Sequence, residues 1–315
     1  MERILVIGAN GQIGSELVEA LARRHEVIAA DIGADNLHGA ARYLQLDVLD
    51  RARIARLVAD EGVTQVYQLA ALLSASGEKQ PLKAWHLNME GLLNILEVAR
   101  ERQEAGKPLR VFWPSSIAAF GPHTPADATP QYAVMDPTSI YGISKLAGER
   151  LCAYYCQRYG VDVRSIRYPG IISYKSPPGG GTTDYAIAIF HAALRGEAYE
   201  CFLGPHTTLP MIYMPDAIRA TVELMDAPPA RITVRSSYNV AGVSFSPAEL
   251  AVAIGARVSG FAIRYQPDER QDIAASWPRC IDDSQARADW GWQPRILLPE
   301  LVADMLEHVR VTQPA

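Results

Sequence analysis

The stretch "RILVIGANGQIGSELVEALAR", Arg3 to Arg23, decides the fold. Its first part, "RILVIG" (3–8), is a short apolar run that reads as a buried strand. From Gln12 onward the apolar residues recur at helical spacing. Between the two stand Gly8, Gly11 and Gly14. A glycine turn that leaves a strand and opens a helix is the context of a dinucleotide-binding loop. Gly8 permits the tight turn, Gly11 lets the backbone approach a pyrophosphate, and Gly14 lets the helix pack against the strand. The helix N-terminus then offers free N–H groups and partial positive charge to the phosphates.

Working outward, strand-like and helix-like segments alternate. "EVIAAD" (26–31), "YLQLDV" (43–48), "VYQLA" (66–70), "RVFWPSS" (110–116) and "DVRSIRYPG" (162–170) read as strands. Helices are expected at 51–61, from Pro81 to about Arg102, and from about 140 to Tyr159. The pattern predicts an α/β fold, a Rossmann-type doubly wound parallel sheet covered on both faces. After Gly170 prolines become frequent and elements shorten, which predicts a smaller C-terminal substrate lobe. The expected division assigns 1–170, plus about 212–242, to the NAD-binding domain, and about 171–211 and 243–315 to the lobe.

Asp31 closes the second strand. An acid there accepts hydrogen bonds from the adenosine ribose and repels a 2′-phosphate, and neither Ala30 nor Ile32 is basic, so NAD is expected over NADP. Asp47, at the end of the third strand, is a candidate partner of the adenine amino group. A tyrosine and a lysine, Tyr141 and Lys145, stand four apart in "SIYGISKLAGER" (139–150) and share a helix face. A phenol with a pKa near 10 needs a drop of about two or three units to serve as a base near neutrality, and a nearby ammonium can supply it. Ser115 and Ser116 close the fifth strand, where a hydroxyl could hold a substrate oxygen beside Tyr141.

Composition narrows the function classes. The net charge is −5 with no basic block, so nucleic acid and anionic membrane are not expected partners. No apolar run approaches the roughly 20 residues that span a bilayer, and no leader peptide is expected, because "MERILVIGANG" reads as a strand running into a glycine turn. The four cysteines form no CxxC pair and the seven histidines lack ligand spacing. A cytoplasmic location and no metal site are therefore expected. No G-x-S-x-G elbow suggests a serine hydrolase.

Taken together, these motifs resemble the extended short-chain dehydrogenase/reductase superfamily, in the branch of nucleotide-sugar epimerases and dehydratases. "PDAIRATVELM" (215–225), "SSYNVAG" (236–242) and "DDSQARADWGWQP" (282–294) fit that branch. Within it, "YQLAALLSASGEKQPLKAWHLNMEGLLNILE", "VFWPSSIAAFGP", "DPTSIYGISKLAGER", "VRSIRYPGIISY", "PPGGGTTDYA" and "RQDIAASWP" are similar to the NAD-dependent L-threonine 3-dehydrogenases of short-chain type. The resemblance implies oxidation of L-threonine to 2-amino-3-oxobutanoate. Tyr141 would be the base, Lys145 its electrostatic partner and ribose ligand, and Ser116, preferred to Ser115, the holder of the hydroxyl. NAD would lie against Gly8, Gly11, Gln12, Ile13, Gly14, Asp31, Asp47, Val48, Leu69, Ala70, Ala71, Ser115, Tyr168 and Ile171. Ser74, Ser76, Thr182, Thr183 and Trp277 would join Ser116 and Tyr141 around the substrate. Asn88 would be structural, the glycine-rich loop 176–185, with Gly180 in it, a lid over the substrate, and the chain a homodimer through the helices at about 81–102 and 140–159. Two rivals remain. One is a nucleotide-sugar epimerase or dehydratase using cations such as Arg219, Arg235 and Arg270. The other is a silent NAD-sensing protein.

Overall fold

The computed structural model describes residues 1–37, 39, 42–178 and 181–311. The expected start is present: β1 (Arg3–Ile7) runs through the glycine turn into α1 (Gln12–Ala22), whose Leu17, Val18 and Leu21 are buried. β2 (Glu26–Asp31), β3 (Tyr43–Gln45), α2 (Arg51–Asp60) and β4 (Gln65–Gln68) follow. A short helix, α3 (Ser74–Lys79), precedes the 24-residue α4 (Pro81–Glu104). β5 (Arg110–Ser116), α5 (Ile140–Tyr159) and β6 (Val163–Tyr168) come next. After them come β7 (Gly170–Ile172), α6 (Tyr185–Arg195), β8 (Tyr199–Cys201), β9 (Leu209–Tyr213), α7 (Met214–Asp226) and β10 (Tyr238–Asn239). The chain closes with β11 (Val243–Phe245), α8 (Pro247–Gly255), β12 (Ile263–Tyr265), α9 (Arg270–Ala275), α10 (Ser284–Trp290) and α11 (Leu298–Val311). No helix among the described residues is long and apolar enough to cross a membrane.

Seven strands form one sheet in the order β10-β6-β5-β4-β1-β2-β3, with parallel pairing across β3, β2, β1, β4 and β5. The strand order reverses between β1 and β4, and in such sheets ligands bind at the carboxyl ends beside the reversal. The core between this sheet and its helices holds Leu5, Ile28, Val66 and Val111 against Leu92, Ile95 and Leu96 of α4 and Cys152 of α5. By backbone contacts the chain divides into two compact units. The first is Met1–Ala119, Pro137–Arg167 and Ile218–Tyr238; the second is Phe120–Asp136, Tyr168–Ala217 and Asn239–Ala315. The second unit has its own core, in which Tyr185, Ile189 and Phe190 of α6 meet Leu209, Met211 and the α11 residues Leu301, Val302 and Met305.

Two departures from the sequence reading bear on the site. The third strand stops at Gln45 rather than continuing to 48. Beyond it Asp47 turns the chain, its carboxylate accepting from Leu49 N at 2.9 Å, so Asp47 lies past the strand and not at its end. The short α3 was not expected, because six residues carry too little periodicity to read.

One buried ion pair anchors α5. Glu149 and Arg167 are 0% and 1% exposed, and the guanidinium donates to both carboxylate oxygens, at 2.9 and 2.7 Å. Losing one partner of such a pair leaves a buried charge unpaired. Glu149→Gln is expected to lower the unfolding free energy by about 3 kcal/mol, read as a shifted midpoint in guanidinium denaturation.

Candidate active site

Helix α5 brings the tyrosine and lysine to the end of β5. Ser139 caps it, its hydroxyl accepting from Gly142 N at 3.0 Å. Gly142 permits the close approach, because a Cβ there would overlap the carbonyl oxygen of Ala118. The Tyr141 hydroxyl consequently reaches Ser116 and hydrogen-bonds to it. Ser116 Oγ accepts from Ala118 N at 3.2 Å, which leaves the serine proton for Tyr141. One turn on, Lys145 is 3% exposed and donates from Nζ to Pro114 O at 2.6 Å. Its Nζ lies 4.6 Å from the Trp113 ring centre and 5.4 Å from that of Tyr141.

These surroundings disfavour charge on both groups. Burial pushes the Tyr141 phenol up to about 12, against a smaller downward pull from the Ser116 hydrogen bond. Burial likewise brings Lys145 down to about 7, opposed by Cys152 and Glu149. The sequence reading had the ammonium depressing the phenol. In the protein alone the lysine donates to a strand carbonyl, and desolvation of the half-buried phenol outweighs the pull from Ser116.

The serines separate by geometry. Ser115 is 2% exposed and its Oγ donates to Glu149 Oε1 at 2.7 Å. Its hydroxyl is therefore committed inside the unit, whereas Ser116 faces Tyr141. Ser74 is the first residue of α3 and Ser76 lies on its exposed side. That helix docks at the start of α5, where Glu78 accepts from Ile140 N at 2.9 Å. Asn88 accepts from Leu72 N at 2.8 Å and donates to Leu72 O at 3.1 Å, tying the chain after β4 to α4.

The glycine turn fits a dinucleotide. A Cβ on Gly14 would overlap Gly8 O, and one on Gly8 would stand 2.7 Å from Ala70 N. The turn therefore lies directly against the backbone of Leu69 and Ala70 at the exit of β4, with Ala71 the next residue. Gly11 caps α1 without any side chain to satisfy the first-turn N–H groups of Gln12, Ile13 and Gly14. Uncapped N–H groups beside open backbone suit a pyrophosphate. Asp31 is half-buried at the end of β2, and its carboxylate accepts from Asn10 N at 2.9 Å and Ile32 N at 2.8 Å. Val48 is buried just beyond β3, next to Asp47.

The remaining expected residues belong to the second unit. Tyr168 is buried and Ile171 half-buried on β7. Thr182 is 5% exposed, and Thr183 packs so closely on Gly170 that a Cβ there would stand 2.6 Å from its methyl group. Trp277 rests on the core of that unit. Gly180, in the loop expected to be a lid, lies outside the described residues.

The sequence reading did not single out Glu149, Arg167, Asn10, Tyr43 or Gln68. Glu149 had a signal, since it continues the face of Tyr141 and Lys145 by one more turn. Gln68 holds Ala70 from both sides, donating to its O and accepting from its N at 3.0 Å each, and nothing in a strand glutamine announces that.

Comparison with known proteins then places the chain. The model of the NAD dependent epimerase/dehydratase family matches residues 4–241. The chain belongs to that family. It is an NAD-dependent oxidoreductase acting on a CH–OH group. It is 44% identical to an uncharacterized epimerase/dehydratase of Staphylococcus saprophyticus, over 98% of this chain and 97% of that one. Among solved structures it is similar to the holo form of the GalE-like L-threonine dehydrogenase of Cupriavidus necator, with a TM-score of 0.93 and 59% identity over 97% of this chain and 99% of that chain. It is also similar to a monomeric L-threonine 3-dehydrogenase from a metagenome, with a TM-score of 0.91 and 43% identity over 98% and 100% of the two chains.

Gly14→Ala is expected to weaken NADH binding about ten- to hundredfold, since the added methyl must displace the turn. Fluorescence titration of NADH against folded protein measures it.

Proposed function

We propose that this protein oxidises the 3-hydroxyl of L-threonine to 2-amino-3-oxobutanoate. The observation that carries the reading is the Ser116–Tyr141 hydroxyl pair beside Lys145, in a chain similar end to end to L-threonine dehydrogenases. NAD, when bound, accepts hydride from the carbinol carbon and brings positive charge that favours the phenolate. Ser116 holds the substrate hydroxyl and Tyr141 takes its proton. Lys145, withdrawn from water over Trp113, holds the cofactor ribose and steadies the phenolate. Gly8, Gly11, Gln12, Ile13 and Gly14 carry the pyrophosphate, with Leu69, Ala70 and Ala71 beside them. Asp31 takes the adenosine ribose, while Asp47 and Val48 border the adenine. Ser115 contributes backbone only, and Tyr168 and Ile171 border the nicotinamide. Ser74 and Ser76 supply hydroxyl partners for the amino acid. The second unit is the substrate lobe. Four free thiols suit a reducing, cytoplasmic setting.

A nucleotide-sugar substrate fits less well, because its diphosphate calls for free cations. Arg219 pairs with Glu223, Arg235 with Asp162, and Arg270 with Asp268 while lying over Phe202. A silent sensor would have no need of the Ser116, Tyr141 and Lys145 geometry. The deciding assay follows NADH formation from threonine and from UDP-sugars. Threonine is expected to support turnover and UDP-sugars none; the reverse result overturns the reading. Tyr141→Phe is expected to lower kcat about 10²–10⁴-fold while NADH still binds. Because the base must lose its proton, wild-type oxidation should rise with pH, and the variant should lose that rise.

We also propose a homodimer through α4 and α5. Their outer faces form a groove of about 610 Å³, lined by Trp85, Leu93, Leu151 and Tyr154 among others. Trp85 and Tyr154 are 40% and 50% exposed, a large aromatic surface to leave in water. Light scattering should give twice the 34.5 kDa chain mass, and Leu151→Arg should give one. A monomeric wild type, as one of the similar structures is described, would refute this.

A further inference from the structure

The segment Ile32–Leu37 after β2 is exposed, yet side chains from outside it hold its backbone at Ile32, Gly33, Asp35 and Leu37. Asn10, in the glycine turn, donates from Nδ2 to Asp35 O at 2.9 Å and to Tyr43 Oη at 2.9 Å. Its Oδ1 accepts from Leu37 N at 3.4 Å. Tyr43 in turn donates to Gly33 O at 2.7 Å, and Gln45 donates to Ile32 O at 3.0 Å. The main chain of Asn10 meanwhile pins Asp31 through its N–H. One residue of the phosphate turn thus fixes both the acid at the end of β2 and the loop that follows it.

The loop displays two apolar side chains to solvent, Ile32 at 65% and Leu37 at 66% exposure. Ordering a solvent-exposed loop costs conformational entropy, and exposed apolar groups on it gain nothing in water. A flat apolar ring laid against them would recover that burial. The family's cofactor carries such a ring, next to the ribose that an acid at the end of β2 receives.

We propose that Asn10 is the positioning residue for the adenosine end of the dinucleotide: through Tyr43 and the loop Ile32–Leu37 it builds the adenosine subsite before nucleotide arrives. A preformed subsite spares the nucleotide the cost of ordering the loop, so the effect appears as affinity rather than as turnover. The proposal rests on the family's NAD dependence and not on threonine as substrate. The same latch explains why the glycine turn carries an asparagine at a position whose backbone alone would serve phosphate binding.

The test titrates NADH and ADP against wild type, Asn10→Ala, Tyr43→Phe and the double variant, by fluorescence and calorimetry. Asn10→Ala loses three hydrogen bonds at once and is expected to weaken NADH and ADP by the same factor, about tenfold. Tyr43→Phe is expected to cost a few-fold, and the double variant much less than the product of the two. Without nucleotide, hydrogen exchange at the Leu37 amide should be faster in Asn10→Ala than in wild type. Affinities within twofold of wild type overturn the proposal, as does a loss confined to NADH with ADP unchanged. Should Asn10→Ala fail to fold, Tyr43→Phe decides the matter by the same two nucleotides. If threonine proves not to be the substrate, these binding measurements stand unaltered.

Discussion

Helix α5 grips the end of β5 at three successive residues, and the chemistry of the site depends on that grip. Tyr141 meets Ser116, Lys145 meets the carbonyl of Pro114, and Glu149 meets the hydroxyl of Ser115. The three helix residues stand at i, i+4 and i+8, so one face makes all the contacts. Gly142 on the same helix removes the side chain that would hold it away from Ala118. Glu149 can occupy this buried position only because Arg167 meets both its oxygens; alone, its desolvation would outweigh the serine contact. A structural ion pair therefore sets the place of the Ser116 hydroxyl, one residue along the strand from the serine that Glu149 holds.

The same burial that fixes the geometry works against ionisation. Tyr141 lies above the ordinary phenol value and Lys145 well below the ordinary ammonium value. A dry site magnifies any charge brought into it, because the protein screens it less than water would. On the proposed reading, this makes the base responsive to the oxidised cofactor: the phenol is held protonated by desolvation and released by added positive charge. A tyrosine ionised at all times would gain less from that cofactor. The hydrogen bond from Ser116 then serves twice, favouring the phenolate and aligning the alcohol that loses its proton.

What could be read in the sequence was whatever depends on local spacing. Gly8, Gly11 and Gly14 lie within one turn, and Tyr141 and Lys145 within one helical turn, so their juxtaposition follows from backbone periodicity. Asp31 follows from the end of an apolar run. The latch of Asn10 on Asp35, Leu37 and Tyr43 spans separations of 25 to 33 residues, and no periodicity encodes it. Glu149 could be placed on the right face, but its partner Arg167 sits on a strand that otherwise reads as uniformly buried. The choice between Ser115 and Ser116 turned on which way a strand faces at its last residues. Only the contact of Ser115 with Glu149 separates the two. The state of the tyrosine in the protein alone was not legible for a related reason: spacing gives proximity, but the direction of a pKa shift depends on how much water remains.

The division of the chain bears on substrate choice. The family model ends at residue 241, and Trp277, α9, α10 and α11 lie beyond it. The glycine turn, Asp31 and the Ser116–Tyr141–Lys145 group all lie before that point. On the proposed reading they hold the cofactor and set the type of bond oxidised, and they would serve equally for a sugar or an amino acid. The likeness to the Cupriavidus necator enzyme, in contrast, extends over 97% of this chain and so includes the later segment. On the proposed reading, that likeness to an L-threonine dehydrogenase carries the choice of substrate, because the family name covers only the shared part. The paired state of Arg219, Arg235 and Arg270 points the same way, since cations already neutralised by carboxylates have little left to offer a diphosphate.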